Sequence, residues 1–286
     1  MVSRAIHTIS NVLSAARREG PDAQSTANFS SVAIGEETLA SIRRPGAWND
    51  VVSLRPTPGL VSRSGMWDGY PSPTAQVGPM ARTVREVAQM LDAMVGYDPE
   101  DPVTALGIGQ SPASYVRSLD RNSLKGARIG VLRESIGLNS EPDSEDFKKV
   151  DAVFQKNVAE LKAAGATVID PIVIPNLKAL LAKRATNPAI ADEALRRYLA
   201  RNPTSPFKTR EDIAKSPELS KSIPPSKAVQ WTTPLQRTDP AKWGEYLQAR
   251  EALSRKLWGI ISSMRSSTNP SSISPHLSKM ESIHPS

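Results

Sequence analysis

Apolar and polar positions alternate along the chain with two periods, and these divide it into elements. At residues 1–20, Val2, Ile6, Ile9, Val12 and Leu13 recur at helical steps beside Arg4, Arg17 and Arg18, with no acid before Glu19. This predicts a basic amphipathic helix, broken by Gly20-Pro21-Asp22. Two short apolar runs, Val32 to Gly35 and Val51 to Leu54, read as strands on either side of a small-residue turn that ends in Ser41. Val84, Val87, Met90, Leu91 and Met94 line one face of a helix opened at Thr83 or Arg82. Gly126 to Leu132 reads as a buried strand entered through a Lys125-Gly126 turn. Phe147, Val150, Phe154, Val158 and Leu161 mark one face of a helix over 144–164, with Gly165 at its C-terminal end, and Ala166 to Ile174 is a second strand. Strand, helix and strand in about 50 residues fit a βαβ unit with parallel pairing. A helix follows over about 177–202, open to interruption at Pro188. The stretch 203–240 is proline-rich and polar, with no regular structure expected at Ser222-Ile223-Pro224-Pro225, and Tyr246, Ala249, Leu253 and Leu257 predict a last helix over 243–264. The final 25 residues hold ten serines, which predicts a disordered tail.

Composition removes several chemistries. The 286 residues carry no cysteine, so thiolate catalysis, disulfides and zinc–sulfur sites are excluded. The three histidines, His7, His276 and His284, stand near the termini, which argues against a Ser-His-Asp triad or a two-histidine metal site in the core. No run of 18 apolar residues is present, so no membrane span is expected. The net charge of +7 is spread along the chain without a basic block interleaved with aromatics, so a solvated basic surface is favoured over a nucleic-acid partner. A cytoplasmic protein is favoured. The N-terminal helix leaves a mitochondrial presequence as an alternative.

The candidate chemistry lies around Ser41. A strand, a tight turn and a helix start would leave backbone N–H groups unpaired near a serine hydroxyl. Ser41 also suits a helix N-cap, the commonest structural use of such a residue. Arg43, Arg44, Arg55 and Arg63 could form a phosphate patch, but no glycine-rich loop accompanies them, and a structural role near the turn is favoured. Trp231, Trp243 and Trp258 are assigned to packing.

Three linked blocks carry a resemblance. They are Ala33-Ile34-Gly35-Glu36-Glu37-Thr38-Leu39-Ala40-Ser41-Ile42-Arg43-Arg44-Pro45, then Leu54-Arg55-Pro56-Thr57-Pro58-Gly59-Leu60-Val61-Ser62-Arg63, then Gly78-Pro79-Met80-Ala81-Arg82-Thr83-Val84. In this order they resemble the amidase signature family, closely over about 28–118 and more loosely to about 260. The resemblance implies an α/β fold with a mixed, mostly parallel β-sheet flanked by helices, lacking the family's N-terminal elements. It implies hydrolysis of a carbon–nitrogen amide bond in a small-molecule substrate through an acyl-enzyme, with no cofactor and no metal.

Ser41 matches the family's nucleophile. The backbone amides of Thr38, Leu39, Ala40 and Ser41 match its oxyanion loop, and Glu37 and Arg43 match an acid–base pair that supports the turn. Many members have glycines where Leu39 and Ala40 stand, an aspartate where Ala75 stands and a glycine where Ser53 stands. The family's proton path runs through a second serine in a Gly/Ser-rich motif to a buried lysine. Where that motif belongs, this chain reads Ala15-Ala16-Arg17-Arg18-Glu19-Gly20-Pro21, and ahead of Arg17 its only basic residues are Arg4 and His7. The resemblance therefore implies an impaired enzyme, with a non-catalytic amidase remnant or a truncated gene model as the alternative. The domain plan is a divergent helix over 1–27, a partial amidase domain over 28–265 and a tail over 266–286. The sequence leaves open the oligomeric state and the particular amide.

Overall fold

A computed structural model describes residues 30–133, 144–174, 176–183, 187–222 and 239–266. The expected N-terminal helix and nearly all of the serine-rich tail lie outside the described residues. The chain forms two compact units, one holding residues up to 119 together with 187–237, the other holding 120–186 and 238 onward.

The first unit is built on a three-stranded sheet ordered β1 (Val32–Glu37), β3 (Gln76–Ala81), β2 (Val52–Ser53). Both pairings to β3 are antiparallel, with Glu37 opposite Gln76 and Val52 opposite Ala81. Central β3 is buried along its whole length. A proline is usually excluded from such a strand because it lacks a ladder donor. Pro79 is tolerated because it faces the end of the short β2, where its carbonyl still accepts from the Leu54 amide at 3.1 Å. Gly78 is required by close approach, since a Cβ there would lie 2.0 Å from the Leu54 carbonyl oxygen.

Helix α1 (Arg43–Trp48) leads from the turn after β1 into β2. Helix α2 (Val84–Met94) packs Val87, Ala88, Leu91 and Met94 inward, as its apolar spacing predicts, and Leu91 and Met94 join Ile34, Val61 and Val77 in the core. Thr83 closes a capping box with Glu86, its hydroxyl accepting from the Glu86 amide while the Glu86 carboxylate accepts from the Thr83 amide. A 3₁₀ segment, Pro102–Gly107, follows Asp101. Asp101 and Arg63 form a buried bidentate pair at 2.8 Å, with side chains 0% and 2% exposed. The same guanidinium reaches the Ser72 carbonyl, so one side chain fixes the long connection between β2 and β3.

Helix α5 (Pro188–Ala200) also belongs to this unit. Arg201, just past its end, pairs with Glu100 at 2.8 Å, and Arg197 lies over the Tyr70 ring.

The second unit contains the expected βαβ unit: β4 (Arg128–Leu132), α3 (Glu145–Ala163) and β5 (Thr167–Ile172), with β4 and β5 parallel. Ser144 caps α3 through the Phe147 amide at 3.2 Å, and Gly165 ends it with φ +91°. Two details differ from expectation. Only Val131 of β4 is buried, because among the described residues this sheet has two strands and little to cover it. On α3, Val150 stands at the edge of the apolar stripe and is exposed, whereas Val158 is buried.

The helix expected over 177–202 is broken into α4 (Leu177–Ala182) and α5, which starts at Pro188 with Asn187 as its cap. A proline at the first helical position has no amide to lose. The proline-rich stretch 203–240 holds two helices, α6 (Arg210–Lys215) and α7 (Pro217–Ser222); of the segment expected not to be regular, Ser222 ends α7, and Ile223, Pro224 and Pro225 lie outside the described residues. A capping box between Thr209 and Asp212 starts the first, and Pro217 opens the second. The last helix, α8, spans Pro240–Ser266, slightly longer than expected. The molecule is thus α/β with a mixed strand arrangement. The parallel pair lies in the second unit, and the three strands nearest Ser41 run antiparallel.

Candidate active site

The turn between β1 and α1 is built from its own charged residues. Glu37 ends β1 pointing inward and is 0% exposed. Its Oε2 accepts from the amides of Ile42 at 3.1 Å and Arg43 at 3.0 Å. Its Oε1 accepts from Arg43 Nε at 2.8 Å and Nη2 at 2.6 Å, and Arg55 Nε lies 3.2 Å from the same oxygen. Burial alone would push the Glu37 carboxyl up. The hydrogen bonds from Arg43 and from the amides of Arg43 and Ile42 outweigh it and hold the carboxyl below its ordinary value, as an anion.

Ser41 is exposed at the top of this turn, and Ile42 beneath it is fully buried. The helix N-cap is Ile42 and makes no side-chain cap bond, so Ser41 does not serve as the N-cap. The amides of Thr38, Leu39, Ala40 and Ser41 donate to no hydrogen bond among the described residues, whereas those of Ile42 and Arg43 are both taken by Glu37. The carbonyls of the turn are engaged: Leu39 O accepts from Arg43 Nη2 at 2.7 Å, and Ala40 O from the Arg44 amide at 2.9 Å. Leu39, where a glycine is common in the resembling family, points its side chain into solvent. No residue from Thr38 to Ser41 has positive φ, so the turn makes no demand for glycine there.

The surroundings brace the same turn. Thr38 Oγ1 donates to Asp68 Oδ2 at 3.3 Å, tying it to the connection between β2 and β3. Arg55 Nη2 donates to the Thr74 carbonyl at 2.9 Å. Gly46 in α1 is required because a Cβ there would meet Ser53 Oγ at 2.1 Å. Of the four arginines weighed as a patch, Arg43 and Arg55 converge on Glu37, Arg63 is buried on Asp101, and Arg44 lies over Trp48 at 5.9 Å from its centroid. They form no common anion pocket.

Arg55, expected to have a structural role near the turn, reaches it through Glu37, whereas Asp68 was missed as its neighbour. Of the tryptophans assigned to packing, Trp243 stacks at a tilt on Tyr246 at 5.9 Å. Trp231 and the Trp258 side chain lie outside the described residues. Among the described residues no cluster of His, Asp and Glu could hold a metal ion, and no helix is long and apolar enough to cross a membrane.

The geometry offers an exposed serine beside amides that donate to no hydrogen bond among the described residues, next to a buried carboxylate held by two guanidiniums. A family model described as Amidase matches residues 23–260. The chain is 42% identical over 137 residues to a glutamyl-tRNA(Gln) amidotransferase subunit of Microcystis aeruginosa, covering 48% of this chain and 26% of that one. Among solved structures it is similar to the native peptide amidase of Stenotrophomonas maltophilia, with TM-score 0.64 and 31% identity over 82% of this chain and 46% of that one. It is also similar to an amidase family protein of Bacillus anthracis, with TM-score 0.66 and 26% identity over 83% and 45%. The chain spans between 26% and 35% of the length of the curated relatives it matches.

Proposed function

Since the chain belongs to the amidase family, we propose that it is a serine amide hydrolase in which Ser41 is the nucleophile. The observation that carries this reading is the exposed Ser41 hydroxyl on a turn whose neighbouring amides have no described acceptor. Ser41 Oγ bonds to the carbonyl carbon of an amide as its proton passes to a base. The carbonyl oxygen becomes an oxyanion, held by amides from Thr38 to Ser41. The intermediate collapses, the carbon–nitrogen bond breaks, and the nitrogen takes up a proton and leaves. Water then adds to the ester, the carboxylic acid departs, and the hydroxyl is restored. Similarity to a peptide amidase and to an amidotransferase supports an amide as substrate.

The family's route runs through a relay serine to a lysine, and the stretch where the relay motif belongs reads Ala15-Ala16-Arg17-Arg18-Glu19-Gly20-Pro21. Arginine does not deprotonate in proteins and cannot replace the lysine. This favours a second reading, a non-catalytic amidase remnant. Labelling the full chain with a fluorophosphonate probe separates them. An adduct that disappears in Ser41→Ala supports the hydrolase. Equal labelling of both proteins, or none of either, leaves the remnant.

A further inference from the structure

The Leu39–Ala40 peptide shows how the turn is aimed. This peptide is trans, so its C=O and N–H point in opposite directions within one plane. Arg43 Nη2 holds the Leu39 carbonyl at 2.7 Å, which turns the Ala40 N–H away from the guanidinium. The next peptide is fixed similarly: the Ala40 carbonyl accepts from the Arg44 amide at 2.9 Å, so the Ser41 N–H points away from α1. Neither amide meets an acceptor among the described residues.

The guanidinium is itself held in place. Nε and Nη2 grip Glu37 Oε1, while Glu37 Oε2 takes the amides of Ile42 and Arg43. Arg55, anchored on the Thr74 carbonyl, adds a second cation beside Oε1. The three side chains carry a net charge of about +1 at neutral pH, directly behind the turn. A cation on the Leu39 carbonyl withdraws electron density through the peptide, and hydrogen bonds in series strengthen one another. The Ala40 N–H is thereby both oriented and made a stronger donor.

We propose that Arg43, braced on Glu37, is a positioning residue that sets and polarises the Leu39–Ala40 peptide so that the Ala40 N–H meets the oxyanion. This rests on the hydrolase reading above. It assigns Arg43 more than support of the turn, and a lysine distinguishes the two roles. Lysine can keep the charge pair with Glu37, but as a point charge it lacks the planar fork that spans Glu37 and the Leu39 carbonyl together.

The test uses the full chain as wild type, Arg43→Lys, Arg43→Gln and Ser41→Ala. Three quantities are read: the fluorophosphonate labelling rate, the unfolding midpoint, and the Ala40 amide resonance after 15N-alanine labelling. The expected result for Arg43→Lys is a midpoint within a few degrees of wild type and labelling slowed roughly tenfold or more, with the Ala40 amide proton moved upfield. Arg43→Gln, whose amide nitrogen stands where Nε does and falls short of Nη2, loses both the charge and the hold on the carbonyl and is expected to label at least as slowly as Arg43→Lys. Wild-type labelling in Arg43→Lys overturns the proposal and leaves the hydrolase standing. No Ser41-dependent adduct in wild type, with the Ala40 resonance still shifted in Arg43→Lys, overturns the hydrolase and leaves the peptide-setting role standing. An unmoved Ala40 resonance overturns that role. If neither variant folds, the wild-type Ala40 amide decides: fast exchange supports the proposal, and strong protection defeats it.

Discussion

Glu37 is a charge that the chain buries and then surrounds. Moving a carboxylate out of water is costly, and the cost is offset here by two amides and two guanidiniums. Replacing it with glutamine keeps the shape but removes the charge that holds Arg43 and Arg55. Glu37→Gln should therefore lower stability by about 3 kcal/mol, read as a lower urea midpoint at unchanged slope. Asp101 stands in the same position against Arg63: burial raises its carboxyl, and the Arg63 hydrogen bonds bring it below its ordinary value. Both carboxyls are held down, so between their folded and unfolded pKa values the folded protein binds fewer protons than the unfolded chain. Their contribution to stability is complete above about pH 5 and is lost as pH falls through the folded values. Acid titration of the unfolding midpoint should show a plateau above the ordinary values of 4.5 and 3.8 and a fall below them. A midpoint that rises on acidification would contradict this ionic account.

At the scale of elements, short-range signals and close contacts act separately and can be tested separately. Thr83→Ala removes the capping box of α2 and should cost about 1 kcal/mol, without altering the turn at Ser41. Two glycines of the site sheet differ in what a methyl group would meet. At Gly78 the neighbour is the Leu54 backbone oxygen at 2.0 Å, held in the sheet. At Gly35 it is the end of the Met80 side chain, Cε at 2.7 Å. Gly78→Ala should therefore cost about 2–3 kcal/mol and Gly35→Ala distinctly less; equal losses in denaturant titrations would show that β2 can move away from β3. The sequence showed Thr83, the helix it starts, and the βαβ order, because caps and periodicity act within a few residues. It did not show α6 and α7, which are a single turn or two each and too short for a periodic pattern.

Across the whole molecule, burial is uneven. The first unit has a continuous core around Ile34, Val61, Val77, Leu91 and Met94. In the second, the buried apolar residues among those described are Val131, Val158, Ala166 and Ile174. Local stability follows buried apolar contact. Hydrogen exchange should therefore protect the amides of β3 more strongly than those of β4 and β5, by about tenfold or more; equal protection would mean that the two units open together.

Glu37 and Arg43 as supports of the turn came from the resemblance to the family; the order of strand, turn and helix around Ser41 and the βαβ unit could be read along the chain itself. Each depends on residues within one turn or one alternation of their neighbours. The tertiary structure alone decided that β3 runs antiparallel between β1 and β2, that Arg55 reaches Glu37, and that Arg63 is buried on Asp101, 38 positions away. Those contacts depend on which surfaces close on one another after the long connections have folded back. A charged residue in sequence gives no sign of its partner until burial removes water as the alternative.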